Sequence, residues 1–216
     1  MQKTLAQPLT FEGVGLHSGK VVHMTLKPAP TGHGIVFMRT DLENQDNVIP
    51  AKWDHVVDTQ LCTVIANKDG ASIGTIEHLM AALRGCHIDN VLIELDAPEV
   101  PIMDGSSAIF VRRIDEVGVV SQTSKRRYVK ILKDISIEDN GSTASLSPDN
   151  VSRFTGHIDF DHPVIGQQDY EVKLVNGYFR HDIANCRTFG FLKDVEYLQK
   201  NGLAQGGSLD NAIVLD

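Results

Sequence analysis

The chain has 216 residues, 42% of them hydrophobic, and a formal net charge of −8. That length allows one large domain or two of about 100 residues each, with real cores. The acidic balance argues against a nucleic-acid backbone as partner, since phosphate binding needs concentrated Lys and Arg.

The opening residues, Met1-Gln2-Lys3-Thr4-Leu5-Ala6-Gln7, hold no apolar run of signal-peptide length. No segment approaches the roughly 20 apolar residues of a spanning helix. The three cysteines, Cys62, Cys86 and Cys186, lie far apart and form no CxxC. A disulfide framework is therefore not expected, and the reading is a cytoplasmic protein in a reducing compartment.

Strand patterns fall at 21–26, 35–39 and 90–95. A short helix is expected between the last two, with Thr75 as its N-cap and Gly85 as the residue that ends it. Ile76, Leu79, Met80 and Leu83 recur at helical spacing on one face. Glu77, His78, Ala81 and Ala82 are expected to point away from it. A solvated face would carry Lys, Glu or Gln there. Two alanines instead imply close packing, or a pocket, beside Glu77 and His78. A second helix is read over 107–117, capped by Ser106, with Phe110, Val111, Ile114 and Val117 inward and Gly118 as its stop.

The polar, aperiodic stretch 120–127 reads as a linker between two units, 1–122 and 126–216. Beyond it, strands are expected at 128–132, 134–137, 144–146, 154–160 and 170–175. A helix over 194–200 then closes on Asn201-Gly202. The two halves also echo one another. Ser18-Gly19, Leu26-Lys27-Pro28 and Ile35-Val36-Phe37 recur as Asn140-Gly141, Leu146-Ser147-Pro148 and Ile158-Asp159-Phe160, offset by 120 to 123 positions. If the echo is real, the fold class is α+β: two similar sheet-plus-helix domains packed face to face, with the ligand cleft between them. The last residues, Asn211-Ala212-Ile213-Val214-Leu215-Asp216, read as a strand entering a core. The expectation is that the second domain is incomplete.

Glu77-His78 is the chemically richest pair. A neutral imidazole is the commonest protein ligand for zinc, and a carboxylate beside a metal can take a proton from water and return it to a leaving amine. A structural account stays open as well: Glu77 favouring the positive helix N-terminus, and His78 merely half-buried.

Several segments converge in order: Gly13-Val14-Gly15-Leu16-His17-Ser18-Gly19, Asp58-Thr59-Gln60-Leu61-Cys62-Thr63, Thr75-Ile76-Glu77-His78-Leu79-Met80-Ala81-Ala82-Leu83, and Ile88-Asp89-Asn90. They continue with Ala97-Pro98-Glu99-Val100-Pro101-Ile102-Met103-Asp104-Gly105-Ser106, Arg187-Thr188-Phe189-Gly190-Phe191 and Gly206-Gly207-Ser208. In this order they closely resemble the UDP-3-O-acyl-N-acetylglucosamine deacetylases of lipid A biosynthesis, from about Val14 to the last residue. The resemblance implies a cytoplasmic, zinc-dependent hydrolase that removes an acetyl group from a UDP-sugar bearing a long acyl chain.

It also implies roles. Glu77 matches the general base, His78 the first Zn2+ ligand, and Thr188 a hydroxyl donor to the developing oxyanion. Phe189 and Phe191 match aromatics on the substrate side. Leu198, Gly202, Ala204 and Ser208 match the acyl-chain passage, and Leu61 and Cys62 the mouth of the site. Structural alternatives stand beside these. Phe189 and Phe191 at period two fit the core face of a strand, Cys62 a small buried hydrophobe, and Asp104-Gly105-Ser106 a turn and helix cap whose contribution is positional. His17 is expected exposed on its Gly-rich loop, with an approach to ligand left open.

One departure matters. The resemblance implies two further zinc ligands from a helical His-x-x-x-Asp, and a later histidine as general acid. The only such spacing here is His157…Asp161, in a stretch that alternates like a strand. At about 3.3 Å per residue its ends lie roughly 13 Å apart, too far to share one ion. The rival reading is a non-catalytic fragment or relative that binds the nucleotide-sugar without a complete metal site.

Overall fold

The computed structural model of the chain describes residues 1–175 and 177–216. The fold is α+β, and the chain divides into two compact units, Met1–Arg126 with Asp182–Asp216, and Arg127–His181. The sequence reading placed one boundary near 122–126 and gave all of 126–216 to a second domain. Residues 182–216 instead belong with the first unit. Backbone hydrogen bonds hold them there: Ser107 N–H to Ala184 O, Thr188 N–H to Gly105 O, and Gly206 N–H to Leu16 O, at 3.0, 2.9 and 3.0 Å. Pairings this distant in sequence leave no local pattern.

In the first unit, β1 (Lys3–Leu5), β2 (Leu9–Val14), β3 (Val21–Pro28), β4 (Ile35–Arg39) and β5 (Val48–Pro50) come first. Next are β6 (Val56–Asp58), β7 (Val64–Ala66), β8 (Ser72–Ile73), α1 (Glu77–Gly85), β9 (Val91–Leu95), α2 (Ala108–Val117) and β10 (Val119–Ser121). A five-stranded sheet runs in the order β2-β3-β9-β4-β5, and β6-β7-β8 form a smaller antiparallel sheet. Alternation in β3 turns Val22, Met24 and Leu26 inward, where β9 adds Val91, Ile93 and Leu95 and β4 adds Phe37. The helices contribute Leu79, Ala82, Leu83, Phe110, Val111 and Ile114 to the core. Phe110 meets Phe11 of β2 edge-on at 5.1 Å.

Two details of α1 differ from expectation. Ala82 is fully buried, so the inner stripe is Leu79, Ala82 and Leu83, with Met80 only half-buried. The helix end also falls later than Gly85. His87 takes the left-handed turn (φ 61°), its N–H bonding Arg84 O while the Ile88 N–H bonds Leu83 O. That is the paired-bond C-terminal motif, built on a histidine where glycine is usual.

The expected linker is partly strand. β10 pairs antiparallel with β1, Lys3 opposite Ser121, and Arg126 is clamped to both carboxylate oxygens of Asp89 at 2.6 Å. A three-residue strand whose partner lies more than a hundred residues away reads locally as polar coil.

The second unit holds two antiparallel hairpins. β11 (Ile135–Asp139) pairs β12 (Ser142–Leu146), and β13 (Arg153–Phe160) pairs β14 (Gly166–Lys173). Residues 128–132, expected as a strand, form none. The echoed turns do share a form: Gly19 precedes β3 and Gly141 precedes β12, both glycines have positive φ, and β2-β3 and β11-β12 are both antiparallel. Back in the first unit, β15 (Phe189–Phe191) leads into α3 (Leu192–Lys200), and β16 (Ile213–Leu215) pairs parallel with β15. Gly202 (φ 77°) ends α3, as read from the sequence.

Candidate active site

Glu77 and His78 open α1. Thr75 is not the cap: Ile76 occupies that position and no side chain caps it. Thr75 is instead buried with φ 55°, and its hydroxyl donates to Glu99 Oε1 at 2.7 Å. Glu77 is half-buried, and its Oε2 accepts the Thr63 N–H at 3.1 Å, tying the carboxylate to the segment that follows Leu61-Cys62. Burial holds the His78 imidazole below its ordinary range, against the opposing pull of Glu77 and Asp104. The ring is therefore neutral at pH 7, the form that ligates a metal.

The segment Asp104–Ser107 gathers the remaining parts. Asp104 Oδ1 accepts both the N–H and the hydroxyl of Ser106, whose oxygen in turn accepts the Ala108 N–H at the start of α2. The Ser107 hydroxyl donates to the His78 carbonyl at 2.9 Å. From the far end of the chain, Arg187 Nε donates to Asp104 O at 2.8 Å, and the Thr188 N–H to Gly105 O at 2.9 Å. Gly105 has φ 78°, and a Cβ there would overlap the Asn211 carbonyl oxygen and stand 3.5 Å from Thr188 Cγ2. One turn thus anchors His78 on one side and Thr188 on the other.

Phe189 and Phe191 are not core residues. Phe189 is exposed and Phe191 half-exposed, their rings edge-to-face at 6.1 Å with Lys193 Nζ 5.9 Å from the Phe191 ring. Leu198 on α3 is half-buried, and Ser208 is exposed in the loop that Asn211 braces through the Ser208 N–H.

A separate cavity of about 340 Å³ lies close by in sequence and bonding, lined among others by His17, Leu61, Cys62, Thr75, Glu99 and Gly202. Three residues expected at the substrate side, Leu61, Cys62 and Gly202, therefore share one space. Glu77, His78, Thr188, Phe189 and Phe191 are not among its walls. Burial pushes the Cys62 thiol up, although hydrogen bonds from Thr75 oppose the shift. His17, expected exposed, has both ring nitrogens buried and without a hydrogen-bond partner among the described residues.

Leu61, Thr75 and Met103 all have positive φ. None is glycine or asparagine, and each costs on the order of 1–3 kcal/mol unless its surroundings over-determine it. Each stands within two residues of a candidate site residue: Cys62, Glu77 or Asp104. His87 and Ala204 share this conformation elsewhere in the chain, so positive φ alone does not single out a site. The sequence reading gave Glu99 no role of its own and left open an approach of His17 to ligand. The signal for Glu99 was an acid set within the otherwise apolar Pro98–Ile102 run.

His78 fits a zinc ligand in chemistry, being neutral and half-buried. A full ligand set does not form: among the described residues no group of three or more His, Cys, Asp or Glu side chains is placed to hold an ion. His157 is on strand β13 with Nδ1 2.9 Å from Asp169 Oδ1, so His157…Asp161 is not the helical pair. The described residues thus supply one candidate ligand and not a closed site.

A carboxylate and a neutral imidazole open one helix, and the turn that anchors that helix also bonds the Thr188 N–H, a set of groups that suits hydrolytic chemistry. Comparison narrows the class. The model of the family described as LpxC, UDP-3-O-acyl N-acetylglycosamine deacetylase, matches residues 2–216. A UDP-3-O-acyl-N-acetylglucosamine deacetylase of Myxococcus xanthus is 51% identical over 215 residues, covering 100% of this chain and 68% of the relative. Proteins of the same name are 48% identical in Haemophilus influenzae (100% and 71% covered) and 51% identical in Syntrophotalea carbinolica (99% and 69%). The chain belongs to the UDP-3-O-acyl-N-acetylglucosamine deacetylase family.

Proposed function

We propose that the protein is a zinc-dependent amide hydrolase that removes the acetyl group from a UDP-3-O-acyl-N-acetylglucosamine, in the cytoplasm, as a step of lipid A biosynthesis. The observation that carries the reading is the Asp104–Ser107 turn, which fastens the His78 end of α1 and Thr188 to one short segment. Family membership supports the substrate and the reaction. No described helix is long and apolar enough to cross a membrane.

Glu77 is the base: its carboxylate takes the proton of the attacking water, while the resemblance gives protonation of the leaving amine to a further histidine. The Thr188 hydroxyl donates to the carbonyl oxygen as negative charge develops on it. Bound zinc would polarise that carbonyl and acidify the water, and His78 is the residue here that would hold it in part. The cavity walled by Leu61, Cys62 and Gly202 receives acyl chain, with Leu198 and Ser208 on the α3 side. Phe189 and Phe191 offer exposed ring faces to the sugar-nucleotide.

The test is release of acetate from the acylated UDP-sugar, followed by mass spectrometry, with a chelator and then zinc added back. With a complete ligand set, turnover lost to chelation and restored by zinc is the expected result; residues 1–216 alone, with one candidate ligand, are expected to release no acetate. Tight substrate binding without acetate release in the zinc-loaded protein would favour the non-catalytic reading instead.

A further inference from the structure

Glu99 is only 4% exposed, yet it has no part in the chemistry above. Its Oε1 accepts the His17 N–H at 2.9 Å and the Thr75 hydroxyl at 2.7 Å, and its Oε2 accepts the Ser18 N–H at 2.9 Å. It forms no ion pair among the described residues. A carboxylate buried without a counter-charge is costly, so it persists where several donors need one acceptor.

Its surroundings are built to fit it. A Cβ at Gly15 would overlap Glu99 Oε2, so the loop leaves room for the carboxylate. The Glu99 backbone bridges Gly74, through Gly74 N–H to Pro98 O at 2.9 Å and Val100 N–H to Gly74 O at 3.1 Å. The segment around Glu99 therefore holds Gly74 by its backbone, and the Glu99 side chain holds Thr75, a β-branched residue with φ 55°. Two residues on is Glu77, and three on is His78. The carboxylate's other hand holds His17 and Ser18, which wall the same cavity as Leu61 and Cys62.

We infer that Glu99 is a positioning residue for the deacetylation proposed above, on which this inference rests. Through the Thr75 hydroxyl it fixes the backbone turn from which α1 starts, and so where Glu77 and His78 stand. Through His17 and Ser18 it fixes the facing wall of the acyl cavity. The device is one buried carboxylate joining helix and cavity.

Three variants test it: Glu99→Gln, which keeps shape but loses an acceptor; Thr75→Val, which cuts the helix-side bond together with the hydroxyl's bond to Cys62; and Thr75→Ser, which keeps the hydroxyl. In zinc-loaded protein with a complete ligand set, Thr75→Val should lower kcat about tenfold with KM changed little, Glu99→Gln should lower kcat and raise KM, and Thr75→Ser should stay close to wild type. The double variant should be no slower than Glu99→Gln alone. Independently, hydrogen exchange at Met80 and Ala81, which close the first turn of α1, should quicken about tenfold in Glu99→Gln and Thr75→Val, while β9 amides hold. Unchanged α1 exchange and unchanged kcat, with only a lower melting temperature, would make Glu99 a mere structural tie and overturn the inference. A wild type that carries a complete zinc ligand set and still releases no acetate would sink the deacetylase reading, and the exchange measurement, made on residues 1–216, would still decide whether Glu99 orders α1.

Discussion

Gly105→Ala is the sharpest probe of how the site is held. The added methyl would overlap the Asn211 carbonyl oxygen and stand 2.9 Å from its carbon, so a backbone group must move, not a flexible side-chain tip. That carbonyl must retreat by on the order of 1 Å to reach ordinary van der Waals separation. Alanine at φ 78° adds about 1–2 kcal/mol of left-handed strain. With overpacking of about 1–3 kcal/mol, the expected loss of stability is about 2–5 kcal/mol. The shift is transmitted directly, because the Thr188 N–H is bonded to Gly105 O and the Thr188 carbonyl to the Ile213 N–H. Misplacing a reacting group by about 1 Å costs about 10²-fold in rate, so kcat should fall that far with KM little changed. Urea unfolding and single-turnover acetate release measure the two effects. Wild-type stability and turnover in Gly105→Ala would refute the claim that this turn places Thr188.

Glu77→Gln keeps the shape and removes the basicity, so kcat should fall about 10²–10⁴-fold with zinc still bound; wild-type turnover at one zinc per chain would exclude Glu77 as the base. Thr188→Val keeps the branched volume and removes the donor, so a loss of about 10–10³-fold should appear in kcat, whereas unchanged kcat with weaker binding would make Thr188 a substrate-positioning residue. Asp41→Asn strips the forked partner from Arg39, which is 6% exposed, and should destabilise the fold by about 2–3 kcal/mol in urea titration. Arg39 holds the Asp41 carboxyl below its ordinary 3.8, so this stabilisation is present above that value and lost as pH falls through the lower folded value. Below pH 3.8 the wild type should therefore approach the variant in stability, and parallel curves throughout would contradict the assignment.

Periodicity found the strong elements. β4 fell where its apolar run placed it, and α2, α3 and the Gly118 and Gly202 stops followed from spacing and turn chemistry. Short strands escaped because a run of two or three residues carries no period; β1, β8 and β10 exist only through their partners. Thr75 was misassigned as a cap because threonine before an acidic first turn is the usual signal for one. Here a buried carboxylate outcompetes the helix for its hydroxyl. Glu77 and His78 were singled out by local chemistry as well as by ordered motifs, whereas Thr188 was picked out by the motifs alone. What brings them together, the 104–107 turn and the returning 184–188 segment, is long-range pairing that no window of sequence contains.

The return of residues 182–216 to the first unit has a consequence for synthesis. The sheet, α1 and α2 leave the ribosome together, but Thr188 and the strand pair that carries it follow only after residues 127–181. At about 5–20 residues per second that is a delay of about 3–11 s. For that interval the nascent chain already carries Glu77 and His78 while the edge that Gly105 offers to Asn211 and Thr188 is bare. A chaperone or protease meeting the chain then would find the half of the site that later closes.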